Sequence, residues 1–267
     1  MADLTPQARA RIIRLLEKAR REIAADVAST DWQAYHQPKL LTEIERHLEN
    51  FKTEAQRELS DDLDQQFAEG QRAMDEQIKK FVNIGQFPAI SESALVVMQD
   101  ALSKRLAGLT ADAVKQIRAD LSLGLLGGKT PFETMELIGK TLSSGDFAEV
   151  AQRAELIVRE EFGRVFRAGA QLRQEIAARR VSGLKKQWLH AGHPVKPRAS
   201  HLGLHGKVVG VDEPFYVFNE KSGELEEAMH PKDPNLSAEN SIGCGCEARP
   251  YKEDWGLSLP ELPAAAA

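Results

Sequence analysis

Apolar residues recur every three or four positions through the first two-thirds of the chain, the spacing of helices that bury one face. One stripe follows Thr5 and Pro6, a pair that suits a helix start because threonine can cap free N–H groups and proline has none. A second stripe, from Lys39 to about Phe81, predicts one long helix of roughly 60 Å at ~1.5 Å per residue. The first stripe consists of Ala8, Ile12, Leu15, Ala19 and Ile23.

Glycine and proline residues divide the next part of the chain into shorter predicted helices. The first two are expected to be separate, because Gly108 lies between them and Thr110 can begin the second. Apolar periodicity predicts helices over Ser91–Ala107, Thr110–Leu125, Thr130–Leu142 and Asp146 to about Arg179.

The pattern changes after Gly183. Polar and apolar side chains alternate over Lys186–His190, as they do in a half-buried strand. Lys207–Val211 and Phe215–Phe218 also have the pattern of strands, whereas Pro197–His205 could form a short helix. The predicted fold class is α+β, with long N-terminal helices followed by a small C-terminal module of short strands and a short helix.

We expect four segments along the chain. They are N-terminal helices including the long one in 1–85, a helical bundle region in 86–180, a small His- and Cys-containing α+β module in 181–256, and a flexible tail in 257–267. The core of the module is predicted from its large apolar side chains, which are Trp188, Val208, Phe215, Tyr216 and Phe218.

Charge and hydropathy argue against tight, sequence-independent DNA binding, short of a local basic patch, and against a membrane-spanning protein. The net charge is −5, with 26 basic and 28 acidic side chains in residues 1–180 and 9 and 12 in residues 181–267. Neither part has the basic excess that tight, sequence-independent DNA binding requires. Because no segment approaches the run of ~20 apolar residues that spans a bilayer, we expect a soluble protein made in a cytoplasm.

Cys244 and Cys246 are the only cysteines of the chain. A strand over Ser241–Arg249 would direct both sulfurs to one of its faces. If Pro197–His205 is a helix, His201 and His205 are four residues apart and share one face of that helix. Two thiols and two imidazoles are a chemically sensible tetrahedral zinc set. The alternative is that the cysteines are small core residues and the histidines cap loops; the sequence leaves both open.

The sequence contains no complete catalytic motif of the common enzyme classes considered next. His201 and His205 have the spacing of a zinc-protease helix, but Leu202 occupies the position of its general base. The chain contains neither a nucleophile elbow nor a phosphate-binding loop. The alternative function is a metal-dependent nuclease or transferase, for which His201, His205 and Glu161 are the candidate residues.

A series of polar, glycine and aromatic positions extends from Arg153 to Cys246. It begins with the run Arg153–Glu161, which contains Arg159 and Glu161, and continues through Arg164, Gly169, Lys186, Trp188, Arg198, His201, Gly206, Phe215, Pro231, Asp233, Asn240, Cys244 and Cys246. In order and spacing this series resembles the phage Mu F-like head-morphogenesis (minor head protein) family. Glu160, Gly243 and Gly245 depart from it, since they stand where that family usually has Thr, Asn and Arg.

The resemblance implies a structural protein rather than an enzyme. Such a protein belongs to the capsid interior or portal vertex, is present in low copy number, and acts in head assembly and in genome ejection. The implied partners are the portal and capsid proteins, with packaged DNA and further copies of this chain as additional options. Because Glu161 and Arg198 belong to one series but to different elements, we also predict an ion pair between them.

Overall fold

The computed structural model describes residues 5–30, 37–83, 93–126, 146–190 and 197–262, together with positions 133, 134, 136 and 138. It confirms a helical N-terminal region followed by a small module of short antiparallel strands and short helices. The long helices are α1 (Thr5–Ser29), α2 (Gln37–Lys79), α3 (Ser93–Leu126) and α4 (Asp146–Ala178). None of the described helices is both long and apolar enough to cross a membrane.

The apolar stripes of α1 and α2 are buried as predicted. In α1, Ala8, Ile12 and Ile23 have no exposed surface, and in α2 the same holds for Ile44 and Ile78. Because these positions recur at helical spacing, one face of each helix supplies core residues while the other stays charged.

The helix α3 differs from the prediction, because it runs unbroken through Gly108, where the sequence predicts two helices. The Thr110 hydroxyl does not cap a new helix but lies 3.0 Å from the Ala107 carbonyl oxygen and 3.3 Å from that of Leu106. Its donor is thus used within the helix that already exists. The predicted helix over Thr130–Leu142 lies largely outside the described residues, of which Glu133, Thr134, Glu136 and Ile138 are helical.

The chain divides into two compact units. The first comprises Met1–Asp62 and Val96–Arg159, and the second comprises Leu63–Leu95 and Glu160–Ala267. The second unit therefore contains the end of α2, most of α4 and the whole C-terminal module. All of the candidate site lies in this second unit.

The module contains two small antiparallel sheets. In the first, β1 (Lys185–Leu189) lies between β2 (Val208–Gly210) and β5 (Glu247–Tyr251). In the second, β3 (Phe215–Phe218) pairs with β4 (Leu225–Ala228). The short helices are α5 (Ala199–Gly203) and α6 (Ala238–Ser241), and a 3-10 turn follows at Glu253–Trp255.

The core of the module corrects part of the prediction. Trp188 and Phe215 are buried and pack edge to face, with ring centroids 5.1 Å apart. Tyr216 and Phe218, however, are 53% and 45% exposed, because alternate residues of β3 point to opposite faces and Phe215 and Val217 occupy the inner one. The remaining core positions are Ala228, Leu236, Cys244 and Cys246, with the partly buried Leu204, Val209 and Ala248 packed against them.

Candidate metal centre

His201, Cys244 and Cys246 form a buried group that could hold a metal ion. Their ligand atoms all lie within 4.8 Å of one another. The Nδ1 atom of His201 is 3.5 Å from the Cys244 sulfur and 3.6 Å from the Cys246 sulfur. Two sulfurs and an imidazole nitrogen suit a borderline-soft divalent ion better than Mg²⁺ or Ca²⁺, which prefer oxygen ligands.

Helix α5 supplies His201. Arg198 is extended and precedes the helix, and His201 then lies on its buried side, only 2% exposed. The imidazole meets the Trp188 indole edge to face, with centroids 5.8 Å apart. The aromatic core thus fixes the ring that faces the two sulfurs.

The cysteines lie in the segment that joins α6 to β5, not inside a strand as predicted. Cys244 donates its N–H to the Ser241 carbonyl at the end of α6, and β5 begins only at Glu247. Between them Gly243 has φ 69, in the left-handed region. Glycine adopts that region without strain, so Gly243 permits the turn that leads into Cys244.

Side chains of helix α4 donate hydrogen bonds to the backbone of the cysteine segment and of the neighbouring loops. Arg167 donates from Nε to the Cys246 carbonyl at 2.8 Å, and Gln174 donates to the Ala248 carbonyl at 3.3 Å. Arg164 donates to the Lys232 carbonyl at 3.2 Å and to the Ser241 hydroxyl at 3.4 Å. The polar face of α4 therefore satisfies main-chain acceptors of the module, as buried carbonyls require.

The two thiols influence each other's ionisation. A hydrogen bond from Cys246, more than that from His201, lowers the pKa of the Cys244 thiol to about 3, although burial opposes the shift. The pKa of Cys246 is raised, because its proton is held in the hydrogen bond to Cys244 and because the thiol is buried. Deprotonation is therefore favoured at Cys244, and the thiolate is the form of cysteine that binds metal ions.

The structure also brings His190 to this group, a residue that the sequence did not single out. It follows β1, is 5% exposed, and places Nδ1 3.5 Å from the Cys246 sulfur. Burial lowers its pKa, which favours the neutral imidazole. In the sequence it is merely the last residue of an alternating stretch, and nothing there indicates where its ring points.

The structure does not bring His205 to the sulfurs. Helix α5 ends at Gly203 with Leu204 as its C-cap, so the helical spacing that would align His205 with His201 is lost. The Nδ1 atom of His205 accepts the His190 N–H at 3.0 Å, and its Nε2 lies 2.8 Å from the Pro260 carbonyl.

The predicted ion pair between Glu161 and Arg198 is replaced by other contacts. Arg198 donates to the Ile242 carbonyl at 2.6 Å, whereas the buried Glu161 carboxylate lies 3.4 Å from the Arg164 guanidinium one turn away. The pairing fails because α4 already supplies a cation beside Glu161. Arg198 instead ties the start of α5 to the end of α6.

The remaining residues singled out in the sequence have different surroundings. Arg159 is exposed on α4, and Trp188 is fully buried. Asn240, 2% exposed, donates from Nδ2 to the Glu226 carboxylate at 2.9 Å and to the Phe218 carbonyl at 3.4 Å. Asn240 therefore connects α6 with both strands of the β3–β4 hairpin.

Comparison with known proteins places few constraints on identity. No family model matches the chain, and no solved structure matches it. The chain is similar to the uncharacterized protein YqbB of Bacillus subtilis (strain 168), with 28% identity over 158 residues. The match covers 59% of this chain and 48% of the relative, so the chain spans about half the length of the relative.

Proposed function

We propose that this chain is a phage minor head protein, a structural and assembly component of the capsid interior or portal vertex. It acts in head morphogenesis and in genome ejection. The observation that carries the proposal is the series of residues from Arg153 to Cys246 that resembles the phage Mu F-like head-morphogenesis family. Those residues include Arg164, Trp188 and Asn240, which make internal contacts of the C-terminal module.

The contacts of this series support a structural role. Arg164 satisfies the Lys232 carbonyl and the Ser241 hydroxyl, Asn240 connects α6 to the β3–β4 hairpin, and Trp188 fills the core. Gly169 lies where α4 touches the Phe67 backbone on α2. Because these polar groups make hydrogen bonds inside the protein, they favour a single arrangement of the module.

The ion we propose for the His201–Cys244–Cys246 group is zinc, in a structural role. Thiolate and imidazole are the usual ligands of structural zinc, and such sites are closed to substrate. The three ligand residues are 2%, 3% and 1% exposed, which is the burial that a closed site requires. A structural metal ion stabilises a small module with few core residues, because such a module buries little apolar surface of its own.

The proposed partners are the portal and capsid proteins. The helices α1 and α2 present long charged faces opposite their apolar stripes, and such faces can pair with complementary protein surfaces. The net charge of −5 argues against packaged DNA as the main partner. We accordingly propose a location in the virion head, after synthesis in the host cytoplasm.

Interrupting the gene tests this function. A stop codon early in the gene of the phage that encodes the chain is expected to give incomplete or non-infectious heads under the electron microscope. A wild-type copy supplied from a plasmid is the control and is expected to restore infectious particles. Normal yields of infectious particles from the interrupted phage would contradict the proposal. Loss of a nuclease or transferase step with fully normal heads would favour the enzyme alternative.

A further inference from the structure

The three sulfur–nitrogen distances around the cysteines have the length that a tetrahedral zinc site requires. With Zn–S near 2.3 Å and Zn–N near 2.1 Å, the sulfur–nitrogen edge of a tetrahedron is about 3.6 Å. The observed distances are 3.5 Å from His201 to Cys244, 3.6 Å from His201 to Cys246 and 3.5 Å from His190 to Cys246. His190 thus has this distance to one sulfur, that of Cys246, whereas His201 has it to both.

The His190 imidazole is available as a ligand. Its Nδ1 atom faces the Cys246 sulfur, and its Nε2 atom is buried without a hydrogen-bond partner among the described residues. A buried polar atom without a partner is costly unless something else satisfies it. Neither nitrogen of this ring is committed to a protein carbonyl or carboxylate in the described part of the chain, in contrast to those of His205.

His205 is better suited to hold His190 than to bind the ion. Its Nδ1 atom accepts the main-chain N–H of His190, and its Nε2 lies against the Pro260 carbonyl. Both ring nitrogens are therefore used, and the accepted bond fixes the backbone from which the His190 side chain extends. His205 is a positioning residue of this site.

We propose that His190 is the fourth zinc ligand, so that the site consists of His190, His201, Cys244 and Cys246. This inference rests on the proposal that the group holds zinc. The His190 ring is not among the ligand atoms that lie mutually within 4.8 Å, which are those of His201, Cys244 and Cys246. The assignment therefore requires the His190 ring to turn toward the remaining coordination position when zinc binds.

The test compares ligand and non-ligand histidines in the full-length chain. Zinc content is measured by mass spectrometry of the metal, zinc affinity by competition with a chromophoric chelator, and coordination by the absorption spectrum of the Co²⁺-substituted protein. The parent chain is expected to hold one zinc ion and to give a four-coordinate Co²⁺ spectrum with sulfur charge-transfer bands. His205→Ala is the matched control, and loss of this outer contact is expected to weaken affinity by at most about 10- to 100-fold.

His190→Ala is expected to weaken zinc binding more than His205→Ala does and to change the Co²⁺ ligand-field bands. His190→Cys supplies another zinc ligand and is expected to keep the four-coordinate spectrum with stronger sulfur bands. This variant remains informative if His190→Ala does not fold. Parent-like affinity and spectrum in His190→Ala, or unchanged sulfur bands in His190→Cys, would overturn the assignment while leaving zinc at the other three residues. A parent chain without zinc would overturn both the assignment and the zinc proposal, whereas the role in the head is tested separately by the interrupted gene.

Discussion

Gly70 on α2 lies against the main-chain carbonyl of Phe166 on α4, so closely that a Cβ atom at position 70 would overlap that carbonyl. The contact is reciprocal, because a Cβ atom on Gly169 of α4 would overlap the carbonyl of Phe67 on α2. The two helices therefore meet backbone to backbone. Only glycine permits so close an approach.

Alanine at either glycine is expected to destabilise the protein. Gly70→Ala and Gly169→Ala each force the helices apart, at a cost of about 1–3 kcal/mol or more in the free energy of unfolding. Gly108→Ala is the matched control, because a Cβ atom there has nothing within 4 Å. Since alanine favours helices, the control is expected to stabilise by about 0.5–1 kcal/mol. Urea unfolding followed by circular dichroism measures all three, and equal effects would refute the close contact.

Glu160 on α4 and Lys232 in the loop after β4 form an ion pair in which both side chains are buried. Lys232→Met keeps the aliphatic stem, which packs against Gly163, but removes the ammonium group. A buried carboxylate then loses its cation, and we expect the free energy of unfolding to fall by about 3–5 kcal/mol.

The exposed pair of Lys221 and Glu239 is the control for this loss. Lys221 is 77% exposed in its side chain, and water screens the attraction, so Lys221→Met is expected to leave the unfolding midpoint unchanged. If Lys232→Met unfolded at the same urea concentration as Lys221→Met, the buried pair would not contribute as proposed.

Lys186 is expected to make stability depend on pH. Burial lowers its pKa from 10.5 to about 8, although carboxylates, Glu175 foremost, oppose the shift. Between these pH values the unfolded chain binds a proton that the folded chain has released, so the free energy of unfolding rises with pH. The rise is at most about 1.4 kcal/mol per pH unit, and less where solvent screens the charge.

Lys186→Met removes the titrating group while retaining most of the buried chain. The parent protein is expected to gain stability relative to this variant between about pH 8 and about pH 10. Tyrosines and cysteines titrate in both proteins, so the difference between the two urea-unfolding series isolates Lys186. Parallel stability curves for parent and variant would show that Lys186 keeps its ordinary ionisation.

Removal of the proposed zinc is expected to expose both thiols. Cys244 and Cys246 are the only cysteines, so a thiol reagent reports on this site alone. Both are buried, and a bound ion would protect them further. We expect slow reaction in the metal-loaded chain and fast reaction after a zinc chelator, with a lower melting temperature. Equal rates before and after chelation would count against a bound ion.

The sequence predicts those features that depend on local periodicity. The stripes of α1 and α2 are regular enough to locate both helices, and the series containing His201 and Cys244 indicates the metal group. By contrast, β4 escapes prediction because its sequence, Leu225–Ala228, has low strand propensity and is held by pairing with β3.

Other features depend on tertiary contacts that a linear pattern does not contain. The exposed Tyr216 and Phe218 follow from which face of β3 meets the core, and His205 leaves the site because α5 ends at Gly203, two residues before it. The ring of His190 is directed at Cys246 by its position at the end of a strand between two others. Its neighbours in the fold, rather than in the chain, make it a candidate ligand.

Quantitative mass spectrometry of purified phage heads tests the proposed function most directly. Particles of the encoding phage are separated from free protein by density centrifugation, and peptides of this chain are counted against those of the portal and major capsid proteins. We predict that the chain is retained in intact heads at a constant ratio to the portal protein and in far fewer copies than the major capsid protein. Its absence from washed, infectious particles and from their assembly intermediates would contradict a role as a minor head protein.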